Sequence, residues 1–279
     1  LLKRVGVGIG GDAVKYFHCL PDSPQFLDMP QVRGMLDILA SAYRIKQYPS
    51  IKKWIGGARS LFIDSGMISA WKAEKPEWKD MQDFVVGVAN ELQADYCAHL
   101  DLPMEPEMLG RNGWSPEHAL TQTVLNALRF RDATLPDHCK RVFVVQGYQL
   151  REYERCLDLY ADFGLLSATD HLAIGSVCMR SPKKGLYRVA KLVRQRCPNH
   201  HLHAFGVGRK EWVDELVQIG IDSFDSADAS LQVAYNRGHL RVGGHRHVRW
   251  RDVQFMVEYT IKDFVMHNLS TKPQLKLWD

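Results

Sequence analysis

The chain has 279 residues, 46% of them hydrophobic and 24% charged, which excludes a disordered chain, a collagen or a coiled coil. Lysine and arginine number 36 against 32 acidic residues, and a net charge of +4 is too small by itself to demand a nucleic-acid partner. No apolar run reaches the roughly eighteen residues of a membrane span, and residues 1–20 lack the apolar stretch of a secretory signal, so a cytoplasmic protein with no membrane partner is expected.

The first sixty residues hold two short apolar runs, 5–9 and 35–43, each read as a strand. The first overlaps Gly6-Val-Gly8-Ile-Gly-Gly11, which fits G-x-G-x-x-G. Pro21, Pro24 and Pro30 interrupt the space where a dinucleotide-binding βαβ unit would run, so a glycine-rich turn is the better reading. Further strands are expected at 61–64, 96–101, 142–146, 172–175, 202–207 and 221–225. Between them, apolar residues recur at steps of three and four. In 77–92 these are Trp78, Met81, Val85, Val88 and Leu92. Residues 151–163 and 210–219 repeat the pattern and stop at Gly164 and Gly220, the usual residue just past a last helical turn. The six cysteines are scattered with no C-x-x-C pair, which argues against a disulfide framework or zinc ribbon and for small buried apolar residues.

Strands and helices alternating at this spacing predict parallel strands with crossover helices. Eight such units in one chain fit a (β/α)8 TIM barrel, with an open doubly wound sheet as the alternative. Residues 1–279 are read as one domain, with a basic segment at 237–251 and a C-terminal helix near 252–269. The basic segment carries five arginines and three histidines, suited either to phosphate contact or to a solvated loop.

The expected strand ends carry the chemistry. They read Phe-Ile-Asp64-Ser65-Gly66, Ala-His-Leu-Asp101, Val-Val-Gln146-Gly147, Ala-Ile-Gly175-Ser176 and Ser-Phe-Asp225-Ser226. In a parallel barrel these ends share one mouth. A single aspartate there often caps the next helix. Three aspartates and a glutamine placed alike are poorly explained as caps, because gathering like charges is costly. One carboxylate can attack an anomeric carbon while a second moves protons. An amide offers a donor and an acceptor together, suited to the lactam edge of a guanine-like base.

These residues resemble the tRNA-guanine transglycosylase superfamily, and most of all its smaller branch, which inserts 7-deazaguanines into DNA. The similarity runs in order from about Leu61 to Val242. Asp64-Ser65-Gly66 resembles the D-S-G loop, Val145-Gln146-Gly147 the V-Q-G, and Ala173-Ile174-Gly175 the base-binding strand. The most specific stretch is Phe205-Gly206-Val207-Gly208, a helix, then Gly220-Ile221-Asp222-Ser223-Phe224-Asp225. Asn236-Arg237-Gly238-His239-Leu240 is similar to the N-G-H-L that follows in the tRNA enzymes.

The resemblance implies a base-exchange enzyme that needs no cofactor. Asp225 would be the nucleophile and Asp64 the general acid/base. Asp101 would accept from the N–H groups of the base, and Gln146 and the Gly175 backbone would bind its lactam oxygen, with Ser65 and Gly66 completing the base site. Met67 or Tyr148 would offer a stacking face. The expected reaction replaces guanine in DNA with a free 7-deazaguanine, the 7-cyano form being favoured, and leaves room for a protein partner that opens the duplex. Arg237, Arg246, Arg249 and Arg251 would hold DNA phosphates. The alternatives are the same chemistry on tRNA, a hydrolase, or a non-catalytic nucleic-acid-binding subunit. Two departures from the tRNA enzymes stand out. Met67-Ile68-Ser69 replaces a glycine and an aromatic, and the last cysteine, Cys197, precedes the nucleophile. The usual zinc subdomain is therefore not expected, and His239, His245 and His247 are not read as metal ligands.

Overall fold

A computed structural model of the chain describes residues 14–20, 33–34, 36–67, 70, 80–178, 183–207 and 210–226. Eight parallel strands close into a barrel in sequence order, the (β/α)8 TIM barrel expected over an open sheet. They are β1 Lys15–Cys19, β2 Asp37–Ser41, β3 Ser60–Asp64, β4 Tyr96–Ala98, β5 Lys140–Val145, β6 His171–Ile174, β7 His201–Ala204 and β8 Ser223–Ser226. Closure comes from β1 pairing with β8, with Phe17 opposite Asp225.

The first strand corrects the sequence reading. Residues 5–9 and the glycine motif lie outside the described residues, and the barrel closes through Lys15-Tyr-Phe-His-Cys19 instead. That run alternates cationic, aromatic and sulfur side chains, so it lacks the unbroken apolar character of a fully buried parallel strand. Its consecutive residues Tyr16 and Phe17 serve two different cores. The expected strand 96–101 also ends early, at Ala98. Past that point His99 takes the place of the ladder. Its Nδ1 accepts the Val144 N–H at 3.2 Å, and Tyr160 donates to the Val144 carbonyl at 2.6 Å. Burial holds His99 neutral, with its pKa lowered to about 3.

The period of two along each strand sorts side chains between two cores. Phe17, Leu39, Phe62, Ala98, Val142, Val144 and Ala173 fill the barrel interior. Ile38, Ile63, Phe143, Ile174, Leu202 and Phe224 face outward, beneath the helices. The helix Met81–Glu91, the shortened form of the pattern seen at 77–92, packs Met81, Val85 and Val88 there. Two long helices have clear starts. Ser115 caps Pro116–Arg131 by accepting the His118 N–H at 3.1 Å. Glu152 reaches back from Leu150–Asp162 to accept the N–H groups of Tyr148 (2.7 Å) and Gln149 (2.8 Å). This second contact tightens the turn that leaves β5, one residue past which stands Gln146. The helices Lys183–Arg196 and Lys210–Ile219 cover β6 to β8. The cysteines are all free, but only Cys97, Cys156 and Cys197 are buried; Cys19, Cys139 and Cys178 are partly exposed, so the expectation holds for half of them. Among the described residues no helix is long and apolar enough to cross a membrane.

Candidate active site

The C-terminal strand ends bring Asp64, Asp101, Gln146 and Asp225 together as expected, and Ser65, Gly66 and Gly175 stand among them. Asp64 is the last residue of β3 and Asp225 the third of β8. Asp101, Gln146 and Gly175 follow β4, β5 and β6 by three, one and one residues. The basic-segment residues Arg237, Arg246, Arg249 and Arg251, with the helix near 252–269, lie outside the described residues.

The Asp64 loop is built around Gly66. Its φ is +75°, and a Cβ there would overlap the side chain of Ser41 at the end of β2. Only glycine fits both restrictions. The resulting turn aims the Gly66 N–H at the Asp64 carboxylate and the Ser65 hydroxyl at Asp101 Oδ1, 3.1 Å away. Asp64 Oδ1 is sealed from solvent and has no hydrogen-bond partner among the described residues. Burial raises the Asp64 pKa well above the usual carboxylate range, and the nearby charges of Asp225 and Asp101 raise it further. Asp64 is thus a carboxyl biased toward its protonated form.

Asp101 and Gln146 grip each other. Gln146 Nε2 donates to Asp101 Oδ2, and Gln146 Oε1 accepts from Ser176 Oγ at 2.7 Å. Ser176, a non-glycine residue at φ +51°, also meets Glu105 Oε2 (2.8 Å) and accepts the Met104 N–H (2.8 Å). Burial pushes the Asp101 pKa up to about 6, against the lowering effect of the Gln146 and Ser65 hydrogen bonds. The Gln146 amide lies so close over Gly175 that a Cβ there would collide with it. The Gly175 N–H, expected to face a lactam oxygen, donates instead to Val145 O at 3.0 Å, and its carbonyl accepts from Tyr153 OH at 2.7 Å. Of the two expected stacking residues, Met67 is buried and Tyr148 is exposed.

Asp225 sits in a different environment, with three donors around its carboxylate. His203 Nε2 lies 3.0 Å from Oδ1, the Gly206 N–H donates to Oδ1 at 2.8 Å, and the Cys19 thiol donates to Oδ2 at 3.2 Å. Burial raises the Cys19 pKa, and the Asp225 charge adds to it, so the thiol keeps its proton. The two carboxyls of the mouth are therefore differentiated. One carboxylate is ringed by His203, the Gly206 N–H and the Cys19 thiol, and the other has one sealed oxygen without a partner among the described residues and is biased toward its protonated form.

Sequence reasoning missed His203, Cys19, Ser176 and Glu105. For His203 a signal existed. His201-Leu-His203-Ala204 alternates polar and apolar, and the polar positions share the barrel interior with Ser223 and Asp225. Ser176 and Glu105 gave none, because each acts through a contact between loops some seventy residues apart.

Among curated proteins, none matches the chain. The family model for DeoxyPurine in DNA protein A (DpdA) matches residues 46–237, the span from the helix Ala42–Gln47 after β2 to beyond the candidate nucleophile. The chain belongs to the DpdA family, the DNA-guanine transglycosylases of deazapurine DNA modification, which are related to the tRNA-guanine transglycosylase superfamily.

Proposed function

We propose that the protein exchanges guanine in DNA for a free 7-deazaguanine, favouring the 7-cyano form, through a covalent ester between Asp225 and the sugar. The observation that carries this reading is the contrast between two neighbouring carboxyls, an Asp225 ringed by hydrogen-bonding groups and an Asp64 with one sealed, unpartnered oxygen among the described residues and a raised pKa. Asp225 attacks C1′ of a guanosine that has left the base stack. The C1′–N9 bond breaks, its electron pair stays with the base, and the Asp64 proton neutralises the departing guanine. The incoming base then gives its N9 proton to Asp64 and attacks C1′, which returns Asp225 to its carboxylate. Two inversions retain the β configuration, and protons and electrons balance without a cofactor.

Base recognition follows from the Asp101–Gln146 pair. A guanine-type base brings a ring N–H and an exocyclic amine, which replace Gln146 Nε2 at Asp101. The freed amide N–H turns to the lactam oxygen, while Ser176 keeps hold of its Oε1. Adenine offers neither the matching donors nor the oxygen. Ser65 holds Asp101 from the opposite side, Gly66 lets the Asp64 loop approach, and Gly175 leaves room for the amide. Arg237, Arg246, Arg249 and Arg251 are proposed to bind flanking phosphates. DNA and the free base are the substrates, and a protein that opens the duplex would be a further partner.

The test is incubation with DNA or tRNA carrying labelled guanine, with and without 7-cyano-7-deazaguanine. Release from DNA that depends on the added base is the expected result. Release without it would mean hydrolysis, release from tRNA alone would move the substrate to RNA, and no release from either would leave only a binding role.

A further inference from the structure

Behind Asp225 runs a chain of buried and half-buried polar groups that the reaction above does not use. His203 and Ser223 are opposite each other in the β7–β8 register. His203 Nδ1 lies 2.9 Å from Ser223 Oγ, and the same oxygen lies 3.0 Å from His201 Nε2. On its other side His203 Nε2 reaches Asp225 Oδ1. The His203 ring is held among Phe17, Phe62 and Phe205, with centroids 5.9, 5.1 and 4.8 Å away. His203 is only 2% exposed, so its ring nitrogens are held to the partners of this chain.

A neutral imidazole has one N–H, and only one assignment satisfies the whole chain. His201 Nε2–H donates to Ser223, the Ser223 hydroxyl donates to His203 Nδ1, and His203 Nε2–H donates to Asp225 Oδ1. With the Gly206 N–H, Oδ1 carries two nitrogen donors. Among the described residues Oδ2 carries the weak thiol donor alone. The assignment leaves Oδ2 as the oxygen that can reach a sugar carbon.

We propose that His203 is a positioning residue that makes Asp225 a good leaving group. The inference rests on the nucleophilic role given to Asp225 above. Base exchange must make and then break one bond, Asp225 Oδ2–C1′. While that bond exists, Oδ1 is a neutral ester carbonyl; when the base nitrogen displaces it, the electron pair returns and Oδ1 shares a full negative charge. Hydrogen bonds to a charged acceptor are about twice as strong as those to a neutral one. The two N–H donors therefore favour the free carboxylate over the ester, and they lower the barrier for transfer to the incoming base. Without His203 the ester becomes a resting place.

The variants His203→Phe, His203→Gln and Ser223→Ala test this, with Asp225→Asn alongside. Each is checked for a cooperative thermal melt, mixed with labelled DNA so that the covalent adduct forms, and chased with 7-cyano-7-deazaguanine in a quenched time course. His203→Phe should lengthen adduct lifetime roughly 10-fold while the KM for the free base stays within about twofold. His203→Gln, which keeps an N–H near the Nε2 position, should recover most of the rate. Ser223→Ala, which frees the Nδ1 tautomer, should lengthen the lifetime by about threefold. Unchanged lifetimes in His203→Phe and Ser223→Ala overturn the proposal. So does an equal slowing of adduct formation and transfer with His203→Gln no better than His203→Phe, since that is the signature of packing alone. An adduct that persists in Asp225→Asn would instead defeat the assignment of the nucleophile, and the two failures are distinguishable.

Discussion

Asp64 and Asp225 differ by what surrounds them, not by residue type. Asp64 Oδ1 lacks a partner among the described residues and its pKa is raised by burial and by Asp225, so guanine release should decline as pH rises through the Asp64 pKa. Asp64→Asn should lower release on the order of 10²- to 10⁴-fold and flatten that alkaline limb in a pH–rate profile. Asp101 gives a stability prediction with a definite sign. Its folded pKa, about 6, lies above the unfolded value of 3.8, so the folded state binds more protons between those values. Stability is then lost as pH rises from about 4 to about 6 and stays reduced above it. Asp101→Asn should remove that slope and raise stability at pH 7 by on the order of 1–3 kcal/mol, while abolishing discrimination among bases. Urea melts at pH 4 and pH 7 read both the slope and its loss. All three aspartates and the glutamine were legible in the sequence, because each follows a short apolar run that a barrel must turn toward one mouth. The partners that set their protonation were not, since Cys19 and His203 come from strands on either side of β8 with no local pattern tying them to Asp225.

Short strands explain much of how the elements hold the site. β4 has three residues, and the loop that carries Asp101 beyond it is held by side chains of two helices. Gln82 accepts the Leu100 N–H at 2.7 Å, Thr123 accepts the Leu102 N–H at 2.9 Å, and Asn126 donates to the Leu100 carbonyl at 3.0 Å. All three lie buried, and their polar atoms stand in for the missing ladder. Thr123→Val should leave the Leu102 N–H unsatisfied, cost about 1–3 kcal/mol in urea unfolding and raise the KM for the free base. Alternation and helix stops read the order of the strands correctly from β2 onward. They failed at β1, where polar inward-facing residues masked the strand, and at the end of β4, where tertiary hydrogen bonds decide how far the ladder runs.

At the scale of the molecule, the closed barrel is what turns separate strand ends into one site. Asp64 and Asp225 are far apart in sequence, yet the charge of one raises the pKa of the other. The barrel interior below them is packed with Phe17, Phe62, Val142 and Val144, so the mouth has a solid floor and no through-channel. The basic segment follows β8 in the chain, and its arginines are proposed to grip DNA near that mouth. Replacing Arg246, Arg249 and Arg251 by alanine should weaken DNA binding and reduce the slope of log K against log salt by about 0.9 for each phosphate that is no longer neutralised. Titrations at several salt concentrations measure it. The central claim is the covalent role of Asp225, and it is tested most directly by trapping. Protein is mixed with guanine-containing DNA, denatured, digested and mapped by mass spectrometry. The expected product is a sugar-linked peptide modified at Asp225 that disappears in Asp225→Asn and is discharged by 7-cyano-7-deazaguanine. An adduct mapped to another residue, or one retained in Asp225→Asn, would contradict that role.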